Sequence, residues 1–190
     1  RAVHFSDTHL SMADVADGLG GHLPADRALE VMKDSRLGAY GVMAPCLGLI
    51  AKVVFVALLV RIDVAAAALL VCTTHVLSRA APLWLMRLLP HVSKPESSKT
   101  LHIAGSPLGW GGVLTGVLWC VPALAAVYVY LSWPTVFALL LTGAAVTSYM
   151  GWRFAQRLGG MTGDCLGATQ QVCELSMLLV SGLLLAQYVM

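Results

Sequence analysis

Charge is what this chain most lacks. Only 12% of its 190 residues are charged, 12 Lys and Arg against 10 Asp and Glu. That is far below the balance of a soluble domain, and no nucleic-acid partner is expected of a chain with so little basic character. Close cysteine spacing is missing too: Cys46, Cys72, Cys120, Cys165 and Cys173 contain no CxxC pair, which argues against a disulfide framework and against zinc. Most of them lie in apolar runs, where cysteine serves as a small packing residue. The histidines His4, His9, His22, His75, His91 and His102 form no HxxxH or HExxH pattern. Among them His9 lies closest to a group of carboxylates and is a candidate for function. No signal-peptide pattern is visible. The chain begins at Arg1 rather than Met, so a preceding stretch is expected to be missing.

What the sequence has in quantity is oil. Hydrophobic residues make up 58% of it and the mean hydropathy is +0.78. Apolar runs at about 40 to 60, 64 to 88, 110 to 131, 134 to 154 and 167 to 189 are each near the ~20 residues that cross a bilayer as a helix. They lack the alternation of barrel strands. The expected fold is therefore all-α, a polytopic membrane bundle of about five helices behind a polar, partly helical segment, residues 1–38. In that segment Pro24, Ala25, Asp26 and Arg27 read as the start of a short helix running to about Arg36, since proline and an acid suit a first turn. The links "VRIDV" and "LSWPT" are minimal, whereas the other two connections are longer and polar. Arg27, Lys33, Arg36, Lys94, Lys99 and Arg157 collect on the side of the N-terminal segment, with mainly Arg61 opposite. The polar side is then cytoplasmic, in an integral protein of the cell's inner membrane. Gly112 and Gly116, four apart on one helix, permit close packing within the chain or between copies of a homo-oligomer.

Chemistry concentrates in "ADVADG". Asp14 and Asp17, three apart, project from one helical face. Their repulsion is relieved by a divalent cation, and Mg²⁺ takes few carboxylates plus water and phosphate oxygens. Beyond Gly18, Gly20 and Gly21 comes "KDSR", in which Lys33 and Arg36 can hold phosphate and Asp34 adds a carboxylate. Lys52 and Arg79 fall within membrane runs, where a charge is a functional candidate by default. Asp164 lies in a glycine-rich turn before the last helix, and Glu174 lies inside that helix. Metal, acid and base gathered at a membrane surface suggest phosphoryl transfer.

Taken together, these segments resemble the cobalamin synthase family, the adenosylcobinamide-GDP ribazoletransferases. "THLSMADVADG" is similar to that family's HxDGLADxxDG motif, "EVMKDSRLGAYG" to its "EIMKDSRIGTYG"-like stretch, and "GGMTGDCLGATQQVCEL" to its "GGxTGDxLGAxxExxE" ending. "SRAAPLWLMRLLPHVSKPE" resembles its arginine-led helix and following loop. The first acidic position of the early motif falls on Leu10, and the first glutamate of the ending on Gln171. Asp7, seven residues before Asp14 on the same helical face, is expected to stand in for the missing acid. The resemblance implies one membrane transferase domain, residues 1–190, with the family's N-terminal part absent. It further implies Mg²⁺ on Asp14, Asp17 and Asp7, and adenosylcobinamide-GDP and α-ribazole or its 5′-phosphate as substrates. Phosphate contacts would come from Lys33, Arg36, Lys52 and Arg79, and Asp34 or Asp164 would accept the hydroxyl proton. The alternatives are a CDP-alcohol phosphotransferase, whose DxxDGxxAR core meets "LGGHLP" here; a transporter, which would show repeated halves; and an inactive diverged relative.

Overall fold

The computed structural model describes residues 7–34, 36–92 and 108–189. Lys94, Lys99, His4, His102, the whole "SKPE" stretch and the side chain of Asp7 fall outside the described groups. Seven helices lie among the described residues: α1 (Asp7–Gly20), α2 (Ala25–Val31), α3 (Ala39–Ile62), α4 (Val64–Leu88), α5 (Trp110–Leu131), α6 (Trp133–Leu158) and α7 (Gly163–Val189). The last five are long and apolar enough to cross a bilayer. The protein is an all-α polytopic membrane bundle.

Boundaries moved where hydropathy and helicity part company. The helix α6 runs on through Gln156 and Arg157, and α7 already includes Gly163 and Asp164, because polar side chains end a membrane crossing without ending a helix. The short α2 stops at Val31, before the expected Arg36. There Lys33 and Asp34 donate back to Glu30 and Val31, and the Arg36 N–H turns to the Asp34 carboxylate at 3.0 Å. Such local side-chain bonds compete with helix continuation.

The bundle is organised around α7. Half of its most apolar stretch is buried, against 6% for α3, which places α7 at the hub and α3 at the periphery of the described helices. Leu59, Leu70, Val127, Leu139, Met177 and Leu178 form the core between the spans. Gly116 lies where a Cβ would strike Leu83 of α4, so this small position serves close packing within the chain.

The two ends of the bundle are built differently. At the end with short links, Asp63 caps α4 by accepting the N–H groups of Ala65 and Ala66 at 2.8 and 3.1 Å, and the Tyr130 hydroxyl donates to it at 3.0 Å. This hairpin end ties α4 to α5. At the other, motif end, α1 and α2 lie over α4, α6 and α7 through Val15, Ala28, Met32, Leu85, Phe154, Leu158 and Cys165. Burying each large apolar side chain there contributes about 1.5–3 kcal/mol. Arg157 donates to the Gly21 carbonyl at 2.8 Å and holds the turn that leaves α1. Gly159, at φ 72°, ends α6 in the left-handed conformation, a common glycine helix stop. Beyond it, Met161 and Pro90–Val92 exchange backbone hydrogen bonds, Met161 N–H to Pro90 at 2.9 Å and Val92 N–H to Met161 at 3.0 Å. A Cβ at Gly160 would run into the Pro90 carbonyl.

Candidate active site

The site begins with why α1 lies on α7. Gly167 offers no side chain where Ser11 and the Thr8 backbone approach, and the Gln171 amide donates to the Thr8 hydroxyl at 2.9 Å. Asp164, Gly167, Gln171 and Glu174 recur at helical spacing and share one face of α7. This close seat lets Ser11 hydrogen-bond the Asp164 carboxylate. Asp14, one turn beyond Ser11, is thereby brought under the influence of Asp164. Its carboxyl is pushed up from the ordinary 3.8 to about 6, first by burial, then by the Asp164 charge and then by Asp17.

Asp17 has another set of partners. Its Oδ2 accepts the Gly38 N–H at 2.6 Å and its Oδ1 accepts the Gly41 N–H at 2.7 Å. A carboxylate borrowed from α1 thus satisfies donors at the start of α3, where charge and helix dipole agree. A Cβ at Gly38 or Gly41 would meet that carboxylate, so both glycines of "RLGAYG" are steric requirements of this cap. The "DxxD" spacing sends one carboxylate toward α7 and the other toward α3.

Lys33, Asp34 and Arg36 lie between α2 and α3. Arg36 Nη2 donates to Asp34 at 2.7 Å and Nε reaches both oxygens at 3.1 Å. The Arg36 hydrogen bonds hold the Asp34 carboxyl down at about 2. Lys33 is exposed in the same connection. His9 is half-buried on α1, five residues before Asp14 and so about 140° around the helix from it. Leu10, where the family motif places an acid, is 51% exposed one turn before Asp14.

Lys52, Arg79 and Glu174 meet deeper in the bundle, in a group joined by His75. Lys52 Nζ lies 2.8 Å from Glu174 Oε1, and His75 Nδ1 lies 3.4 Å from the same oxygen. Arg79 Nη2 is 2.9 Å from His75 Nε2. Glu174 is 1% exposed, and its Oε2 is buried with no partner among the described groups. Sequence reading set His75 aside with the other histidines. The available signal was its position four residues before Arg79, one turn along the same face of α4.

Among the described residues no three His, Cys, Asp or Glu side chains are arranged to hold a metal ion. Mg²⁺ needs less from a protein, one or two carboxylates with water and phosphate oxygens completing its shell. The Asp14 carboxylate, crowded by Asp164 and Asp17, fits that requirement. Lys52 and Asp34, by contrast, already have partners of opposite charge.

Fold and site together define a polytopic helical membrane protein with carboxylates gathered beneath a glycine-rich turn at one end. A model of the cobalamin-5-phosphate synthase family matches residues 9–182, and the chain belongs to that family. It is 44% identical over 179 residues to the adenosylcobinamide-GDP ribazoletransferase of Albidiferax ferrireducens, covering 87% of this chain and 64% of that protein. Similar proteins of the same name come from a Polaromonas species, 42% identical over 178 residues (87% and 63% covered), and from Vibrio cholerae, 35% identical over 169 residues (89% and 62% covered). The chain thus spans less than two thirds of the length of these relatives. No solved structure matches it.

Proposed function

We propose that the chain works as one membrane domain of a transferase that joins adenosylcobinamide-GDP to α-ribazole or its 5′-phosphate and releases GMP, with its motif end in the cytoplasm and its bundle in the inner membrane. The observation that carries this reading is the seating of α1 on α7 at Gly167 and Gln171, which groups Asp14 with Asp164 and Asp17 at the motif end of the bundle. In the reaction a ribazole hydroxyl oxygen bonds to the cobinamide-side phosphorus, the bond from that phosphorus to the GMP oxygen breaks, and GMP departs. Mg²⁺, when bound, neutralises charge on the diphosphate oxygens. Asp14 would be the main carboxylate to hold it, with Asp17 beside.

Of the two expected proton acceptors, Asp164 is the better placed. Asp34 is tied to Arg36 and held at about 2, which makes it a poor base near neutral pH. Asp164 sits beside Asp14 with Ser11 orienting it. Lys33 presents positive charge on the exposed turn for the departing nucleotide phosphate, beside Arg36, whose charge is shared with Asp34.

The test is GMP release by lipid-reconstituted protein. Release should require both substrates and Mg²⁺ and should be absent in Asp14→Ala. A folded parent protein that releases none rejects the reading.

A further inference from the structure

The chain from Arg79 to Lys52 has a direction that the hydrogen-bond chemistry fixes. A guanidinium has donors and no acceptor, so Arg79 Nη2–H donates to His75 Nε2 across 2.9 Å. With Nε2 accepting, the ring proton resides on Nδ1. That N–H points at Glu174 Oε1, 3.4 Å away, an oxygen that also receives Lys52 Nζ at 2.8 Å. Three helices contribute: Lys52 from α3, His75 and Arg79 from α4, and Glu174 from α7.

Neutralising a buried glutamate requires one cation, and Lys52 supplies it. Arg79 is therefore a second positive charge that the buried carboxylate does not need. It is exposed, and a guanidinium bonded to His75 through one nitrogen still has N–H groups directed elsewhere. A charge held at this depth without such a use is costly. We propose that His75 is a positioning residue, one that Glu174 orients and that in turn holds the Arg79 guanidinium against a phosphate group of a substrate. This rests on the reading of the protein as a transferase of phosphate-bearing substrates. Arg79 lies one turn of α4 beyond His75, toward the motif end where Asp164 begins α7, so the phosphate held here is either one of the diphosphate of the nucleotide-linked substrate or that of a phosphorylated acceptor.

Equilibrium binding to the lipid-reconstituted chain separates these sources, with adenosylcobinamide-GDP, α-ribazole and α-ribazole 5′-phosphate each titrated alone and GMP release measured in parallel. His75→Phe and Arg79→Ala should each weaken binding of the same phosphate-bearing ligand by about tenfold, with the loss falling more heavily on KM than on kcat. The double variant should bind no worse than Arg79→Ala, as expected for residues acting as a unit. His75→Gln, whose amide can both accept from Arg79 and donate to Glu174, should return binding to within about twofold of the parent. His75→Met serves where the Phe variant does not fold. Loss of binding to both α-ribazole 5′-phosphate and adenosylcobinamide-GDP, or to either one, supports the proposal and identifies the phosphate held. Parent-like binding in His75→Phe beside weakened binding in Arg79→Ala overturns it, and so does parent-like binding in Arg79→Ala. A parent that binds the ligands but releases no GMP rejects the transferase reading while leaving the His75 result to stand by itself.

Discussion

Asp14 and Asp63 are the same side chain at opposite ends of one bundle, and their surroundings push them in opposite directions. Asp63 accepts two backbone N–H groups at the start of α4 and a tyrosine hydroxyl, and these hydrogen bonds hold its carboxyl below the usual range. Asp14 is half-buried, faces other carboxylates, and is pushed up to about 6. A carboxylate that the fold has satisfied is part of the architecture. One that the fold has crowded and left in want of a counter-charge is available for chemistry. Asp17 stands between the two cases, close to Asp14 yet committed to the cap of α3.

The sharpest way to break this contrast is to remove each carboxylate in turn. Asp14→Ala and Asp164→Ala should lower GMP release by about a hundredfold or more without unfolding the bundle. Asp63→Asn should lower thermal stability in detergent and leave turnover unchanged. Turnover lost at Asp63 but kept at Asp14 would reverse the assignment of the two ends.

Gly41→Ala comes next. Its Cβ would collide with the Asp17 carboxylate, and the backbone there is helical, so the strain falls on the cap. Overpacking of this kind costs about 1–3 kcal/mol. The expected result is a lower melting temperature together with reduced, not abolished, GMP release, because α1 would shift relative to α3 and carry Asp14 with it. An unchanged melting temperature would mean that Asp17 does not tie α1 to α3.

How much of this could be read from residues alone differs between the two ends. The five spans were legible because a bilayer imposes a length on any apolar run that crosses it. The charged residues within those runs were also legible, since their cost marks them. Pairing was not. Asp14 comes under the charge of Asp164 because Gly167 admits Ser11, and nothing local to either aspartate announces that pairing. Asp17 looked equivalent to Asp14 because helical spacing puts them on one face. The information that separates them sits in Gly38 and Gly41, three apart, where a missing Cβ leaves room for a distant carboxylate. Likewise Lys52 read as an available cation until packing placed Glu174 beside it.

A pH series without divalent cations sharpens the comparison further. With its folded pKa raised to about 6, Asp14 favours the folded state while neutral in both states, below its unfolded value near 3.8. That contribution fades as pH rises between roughly 4 and 6. With solvent screening discounted, the expected loss is about 1 kcal/mol. Asp14→Asn should flatten melting temperature across this window, and Mg²⁺ should stabilise the parent more at pH 7.5 than at pH 5. A parent and Asp14→Asn variant with identical slopes would remove the electrostatic basis for placing a cation there.

The smallest effect belongs to the hairpin end. Tyr130→Phe removes the hydroxyl that donates to Asp63 and leaves the two N–H donors of the α4 cap in place. The Asp63 carboxyl, held down by the Ala66 N–H, Tyr130 and the Ala65 N–H, should then titrate closer to its ordinary value. A depressed carboxylate contributes stability that is present above its unfolded pKa and is lost as pH falls through its folded one. The variant should therefore lose that contribution at a slightly higher pH than the parent, visible as an earlier fall on the acid limb of the melting curve, with GMP release unaltered. Carboxyl titration followed by carbon-13 NMR reads the shift directly. An unmoved Asp63 titration would leave the α4 cap alone as the reason this end is settled, and α5 would then be held to α4 by apolar packing rather than by the tyrosine.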